Sequence, residues 1–281
     1  MSEEHWSGER VRLWLAQAER LDRQLVPVSR LLFEGAALRA GERVLDVGCG
    51  AGPTTRAAAE AVGREGRVAG IDVSAEMLDA ARGVPTAAGA APIDWIKADV
   101  ATWAPQLEPV HVVISRFGVM FFDDPAAAFA NLAAATTPEG RLCAMVWDRR
   151  DRSQLFQVPL AVATEVLTAL GQPPEVPPVD EAAFSLHDPA HVVPLLEGSG
   201  WRDVTHEPLA IQVHLGGGLT PAQASEVALG VGPSRVVMTG IDDDARRQVL
   251  DAMAVALADH VDPDGHVVLG ASVVRLTARR G

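Results

Sequence analysis

Apolar positions recur along the chain in two rhythms. Residues 9–39 place Val11, Leu13, Trp14, Leu15, Leu21 and Leu25 among charges, which predicts one or two amphipathic helices interrupted at Pro27. From residue 43 onward, short apolar runs alternate with helical stretches. RVLDVG predicts the first strand, followed by a helix that Pro53 opens and Gly63 closes. RVAGIDVS, IDWIKAD, HVVISR and RLCAMVW predict strands two to five. Ser74 is placed to cap the helix that carries Met77 and Leu78, and Asp124-Pro125 opens the helix AAAFANLAAAT. Strands and helices taking turns predict a parallel sheet with helices on both faces.

After Trp147 the rhythm changes. A helical stretch over 154–170 leads into GQPPEVPPVD, too proline-rich for helix or strand. Asp188-Pro189 starts a helix ending near Gly198, and VTHEPLAIQVHL reads as a strand. Gly216-Gly217-Gly218 breaks it, Thr220-Pro221 begins a helical insertion reaching about residue 261, and HVVLGASVVRLTAR closes the chain as a strand. No internal repeat is present. The expectation is one domain over 1–281 of class α/β, with a helical cover at 1–40. Two insertions, 151–186 and 216–265, are expected to act as helical lids on the sheet.

Composition narrows the function classes. A formal charge of −13 repels phosphate backbones, and the basic segments RDVT, DARRQ and TARRG are short and interrupted, so no nucleic-acid partner is expected. The two cysteines, Cys49 and Cys143, sit in segments that read as buried, which points to reduced thiols and a cytoplasmic location. MSEEHWSGER is unlike a signal peptide, and no apolar run approaches the ~18 residues of a membrane span. A homodimer is compatible with the sequence, but no feature specifies one.

The chemistry concentrates in VLDVGCGAGPTT, residues 44–55. A strand running into a glycine loop and a helix lets backbone approach a ligand and aims free N–H groups at it. The spacing is Gly48-x-Gly50-x-Gly52 followed by Pro53, so the third glycine of a dinucleotide fingerprint is missing. Asp46, inside the strand, would oppose a pyrophosphate but suits an ammonium group. Asp72 ends the second strand, where a carboxylate can accept both hydroxyls of a ribose. A ribose and a cationic head without a pyrophosphate describe S-adenosylmethionine.

VLDVGCGAG, GIDVS, IKADV and HVVISRFGVMFF, in this order, resemble the successive motifs of class I S-adenosylmethionine-dependent methyltransferases, over roughly residues 40 to 150. The resemblance implies a Rossmann-like, mostly parallel seven-stranded sheet with a reversed C-terminal hairpin. It implies methyl transfer by in-line displacement to a small organic, partly apolar acceptor. It also implies site roles. Asp46 would contact the methionyl ammonium, while Gly48, Cys49, Gly50 and Gly52 form the loop beneath the methionine and ribose. Asp72 would hold the ribose, Val73 and Met77 would pack on the adenine, and Ala98, Asp99 and Val100 would border it, with Asp99 accepting from its amino group. Backbone carbonyls of Ser115 and Arg116 would meet the ammonium. An acceptor pocket beyond the strand ends would be lined by Trp14, Phe117, Phe121 and Trp147, with Arg235 facing a polar group.

No general base stands out: His111 starts the fourth strand at the far end, His187 and His191 flank a helix start near the expected lid, and His206 and His214 lie on the penultimate strand. No metal is expected. Asp148 suits one carboxylate position of a metal-assisted site, but Ser115-Arg116 occupies the other, and no His/Cys cluster has zinc spacing. Two readings from other classes stay open: a nicotinamide-dependent oxidoreductase, weakened by the missing glycine and the absence of tyrosine, and a non-catalytic S-adenosylmethionine-binding scaffold.

Overall fold

The computed structural model describes residues 7–177, 182–230 and 232–281. Residues 1–6 of the expected N-terminal cover, and 178–181 and 231 of the expected insertions, lie outside the described residues. Seven strands form one sheet: β1 (Arg43–Val47), β2 (Arg67–Asp72), β3 (Ile93–Lys97), β4 (Val110–Arg116), β5 (Thr136–Trp147), β6 (Trp201–His214) and β7 (Val268–Arg280). Their order is β3-β2-β1-β4-β5-β7-β6. The first five pair in parallel, and β7 runs antiparallel to both β5 and β6, which is the reversed hairpin expected. β5 begins earlier than its apolar run. Thr136 already pairs with Val110, and a register shift absorbs the turn-like Pro-Glu-Gly before Val112 pairs with Arg141.

Alternation along the strands feeds two cores. Val44, Val112, Ile114, Cys143 and Met145 face one side, and Leu45, Val47, Val113, Leu142 and Ala144 the other. On the first side lie α3 (Val26–Ala36) and α4 (Pro53–Val62), on the second α6 (Pro125–Ala134) and α8 (Pro189–Gly198), while α5 (Ala75–Arg82) follows β2. Three helices, rather than one or two, form before β1: α1 (Glu9–Ala16), α2 (Ala18–Gln24) and α3. Their breaks fall at Gln17 and Leu25, where φ is −114° and −92° with ψ near zero. Pro27 then sits in the first turn of α3, where its missing N–H costs nothing.

The expected insertions supply α7 (Gln154–Ala169), α9 (Pro221–Leu229), α10 (Gly232–Val237) and α11 (Asp243–Leu257). Their buried Leu160, Leu167, Val227, Val249, Met253 and Leu257 belong to the same cluster as Val44 and Ile114, so this helical layer and the first sheet face share one core. Among the described residues, no helix is long and apolar enough to cross a membrane.

Candidate active site at the carboxyl edge of the sheet

Asp46 lies at the end of β1, 1% exposed. Two threonines in the first turn of α4 turn toward it: Thr54 and Thr55 donate their hydroxyls to Oδ2 at 2.7 and 2.6 Å. Its Oδ1 is buried without a hydrogen-bond partner among the described residues. Burial pushes the carboxyl up to about 6, against the opposing pull of the two threonines and the Arg116 charge.

The loop after β1 is pinned from below and open above. Gly48 and Cys49 donate to the Ile71 carbonyl at 2.9 and 3.2 Å, and Gly52 donates to the Cys49 carbonyl. A Cβ on Gly48 would lie 2.6 Å from the Gly118 Cα, so the loops after β1 and β4 meet backbone to backbone. A Cβ on Gly50 would meet nothing within 4 Å, so the loop is open on that side. Burial drives the Cys49 thiol well above its ordinary range, with Asp46 and Asp72 adding to the effect, so it is no nucleophile.

Asp72, at the end of β2, ties this loop to the next. Its Oδ2 accepts from the Gly50 N–H at 2.8 Å and its Oδ1 from the Ser74 N–H at 2.9 Å. Burial raises its pKa despite those bonds. Ser74 caps α5 by accepting from the Met77 N–H, and Val73 and Met77 are buried beside it. After β3, the Ala98 N–H donates to the Asp72 carbonyl, and Asp99 Oδ1 accepts from the Ala101 N–H at 3.0 Å, closing a turn. Val100 is buried, and its carbonyl accepts from the Asn131 side chain.

After β4, Ser115 donates its hydroxyl to the Val47 carbonyl at 2.8 Å and accepts from the Gly118 and Val119 N–H groups, which joins β1 to the β4 loop. Arg116 reaches toward the N-terminal helices. Its Nη1 stands 2.8 Å from Asp22 of α2 and 2.6 Å from the Ser29 hydroxyl of α3. Phe117 holds φ at 66°, a conformation that strains a bulky residue. It stacks on Trp147 at 4.2 Å and 12°; Trp147 meets Phe156 edge-on, and Phe156 meets Phe184 edge-on.

The expected pocket residues are thus only partly assembled. Phe117 and Trp147 come together at the ends of β4 and β5. Phe121 packs against the core of the second face, as Phe117 and Trp147 also do, while Trp14 is 40% exposed on α1 and Arg235 is exposed on α10. His111 accepts from the Arg43 N–H at the opposite end of β4, His206 and His187 are held by backbone carbonyls, and His214 pairs with Asp262. Sequence reasoning missed Asp22, Ser29, Phe156 and Phe184, which come from segments far apart in the chain. Thr54 and Thr55 carried a signal: two hydroxyls directly after a helix-opening proline, eight and nine residues beyond Asp46.

A family model described as a methyltransferase domain matches residues 44–140. Aklanonic acid methyltransferase of Streptomyces sp. (strain C5) is 34% identical over 116 residues, covering 41% of this chain and 53% of that protein. Nocamycin O-methyltransferase of Saccharothrix syringae is 34% identical over 116 residues, covering 41% of each. The chain thus spans about half or less of the length of these relatives. Among solved structures, Haemonchus contortus phosphoethanolamine N-methyltransferase 2 superposes with a TM-score of 0.51 at 15% identity, covering 91% of this chain and 52% of that one, a likeness of fold. Strand order, glycine loop and matched segment agree: residues 44–140 are similar to a methyltransferase domain, and the sheet around them has the fold of solved methyltransferases.

Proposed function

We propose that the chain transfers a methyl group from S-adenosylmethionine to a small, partly apolar organic acceptor. The observation that carries this reading is the Oδ1 of Asp46, buried at the end of β1 without a hydrogen-bond partner among the described residues, just before a glycine loop in which a Cβ on Gly50 would meet nothing within 4 Å. That arrangement fits an ammonium-bearing ligand and disfavours a pyrophosphate. Asp46 would hold the ammonium and Asp72 the ribose hydroxyls. Asp99 and Val100 would border the adenine with Val73 and Met77. When bound, S-adenosylmethionine supplies a methyl group already activated on a sulfonium. The chain's own work is then to align the acceptor and keep water out.

The aromatic ladder from Phe117 to Phe184 and the helical layer of α7 and α9–α11 would wall an acceptor of moderate polarity. Two relatives named for methyl transfer to small organic molecules support that class of acceptor. The net charge of −13 argues against nucleic acid.

Isothermal titration with S-adenosylmethionine, S-adenosylhomocysteine and NADH tests the reading, on the wild type and on Asp72→Ala. Saturable binding of both sulfur ligands, weakened at least tenfold in the variant, is expected. Binding of NADH instead would make the chain a nicotinamide enzyme. Binding of the sulfur ligands with no transfer to any of a panel of small phenols, acids and amines would leave a scaffold.

A further inference from the structure

Away from the glycine loop, one group of side chains has the donor set of a metal centre. β6 ends at His214, which pairs with Val268 at the start of β7. Between α11 and β7 the chain turns through Asp262-Pro-Asp264-Gly-His266. Ligand atoms of Asp262, Asp264 and His266 all lie within 4.8 Å of one another. His214 comes in from the neighbouring strand with its Nε2 3.1 Å from Asp262 Oδ2, and His266 Nδ1 stands 4.0 Å from the same oxygen. Donors around a four-coordinate zinc ion, with bonds of about 2.0–2.2 Å, stand roughly 3.4 Å apart, which falls inside this range. Trp147 is level with Val273, so roughly 17 Å of β7 separates the group from the aromatic ladder.

The turn does not need all four side chains. Asp262 Oδ1 alone holds it, accepting from the Asp264 and His266 N–H groups. Among the described residues, the Asp264 carboxylate makes no hydrogen bond, and neither aspartate pairs with an arginine or lysine. The sequence carries four aspartates and no lysine or arginine between Arg247 and Arg275, so the local field draws a cation. Two imidazoles beside two carboxylates select a zinc-class ion over calcium or magnesium, which take oxygen ligands. We propose that His214, Asp262, Asp264 and His266 form a structural site for a zinc-class divalent cation, fastening the end of β6 to the turn before β7. Two residues beyond His214, the Gly216 N–H donates to Gln24 of α2, so the ion would also steady the loop on which α2 rests. The site has no part in methyl transfer and does not rest on the reading of S-adenosylmethionine as the ligand. Zinc spacing was not legible in the sequence because His214 lies 48 residues before Asp262 and half the donors are carboxylates.

The test is calorimetric titration of the full chain, without a polyhistidine tag and stripped of metal by a chelator, with Zn²⁺ and separately with Ca²⁺. The wild type is compared with His214→Gln, Asp264→Asn, His266→Gln and His191→Gln. Asp262 is left in place because it holds the turn, and the chosen side chains are exposed enough for the variants to fold. The wild type should take up one Zn²⁺ per chain and bind Ca²⁺ about 100-fold more weakly or less. Each of the three ligand variants should weaken Zn²⁺ by about tenfold or more. His191→Gln, which removes an exposed imidazole on α8, should leave the affinity unchanged. Zn²⁺ should raise the urea midpoint of the wild type and not that of the ligand variants.

Absence of saturable Zn²⁺ binding by the wild type would overturn the proposal. Wild-type affinity in any one of the three ligand variants would overturn it too, by placing the ion on scattered histidines or thiols. Ca²⁺ bound more tightly than Zn²⁺, and insensitive to His214→Gln, would make the turn an oxygen-only site and overturn the assignment. None of these results bears on the titration with S-adenosylmethionine, so failure of either reading leaves the other standing.

Discussion

Asp46 shows what a single residue contributes and what it costs. Its carboxyl is pushed up to about 6 chiefly by burial, so keeping it ionised in the folded chain costs about 3 kcal/mol relative to the unfolded one. The folded state therefore binds the extra proton between the unfolded value near 4 and the folded value near 6. This residue's contribution to stability falls as pH rises through that window and is flat above it. Asp46→Asn removes the term and keeps an oxygen for Thr54 and Thr55. Its urea midpoint should exceed that of the wild type at pH 7, and the difference should shrink as pH falls toward 4.5. S-adenosylmethionine affinity should drop about tenfold or more in the same variant. A variant both less stable and unimpaired in binding would show that Asp46 serves only the fold. The burial of Asp46 and its need for a partner were legible, because an acid inside an apolar strand run must be paired. That the partners are two threonines, both on Oδ2, came from the structure.

At the scale of elements, the site depends on strands and helix ends being held in place from behind. Arg141 of β5 does this for α3. Its Nε and Nη2 donate to the Ala36 and Ala37 carbonyls at the helix end, and both Nη groups pair with Glu42 at 2.8 and 2.9 Å. Those carbonyls are among the ones a helix end leaves unpaired, and a guanidinium is their natural complement. Arg141→Met keeps the apolar stem and removes the bonds, so it should cost about 2–3 kcal/mol. The check is a lower urea midpoint with an unchanged slope. A loss under about half a kcal/mol would mean water replaces Arg141 at no cost. The elements themselves were largely readable: β1, β2 and β4 follow their apolar runs to within a residue or two. The early start of β5 was not, because Pro-Glu-Gly reads as a turn and only the bulge against β4 carries the strand through it.

At the scale of the whole molecule, the helical layer and the first sheet face share one buried cluster, so they should lose structure together. Tryptophan fluorescence and far-ultraviolet circular dichroism should give coincident urea transitions. S-adenosylhomocysteine at about 100 times its Kd should raise the unfolding free energy by roughly 2.7 kcal/mol. Separate transitions would show the layer to be an independent unit.

The sequence by itself determined the α/β class, the positions of seven strands, the glycine loop and the two carboxylates at its rim. These depend on local periodicity and on the chemistry of neighbouring residues, which a linear reading contains. Only the tertiary structure decided that Arg116 meets Asp22 and Ser29, and that Phe117 and Trp147 stack with Phe156 and Phe184 behind them. Those partners lie tens of residues apart in the chain. They meet because helices return across the sheet to bury apolar faces, and no local pattern encodes where a returning helix will place one side chain.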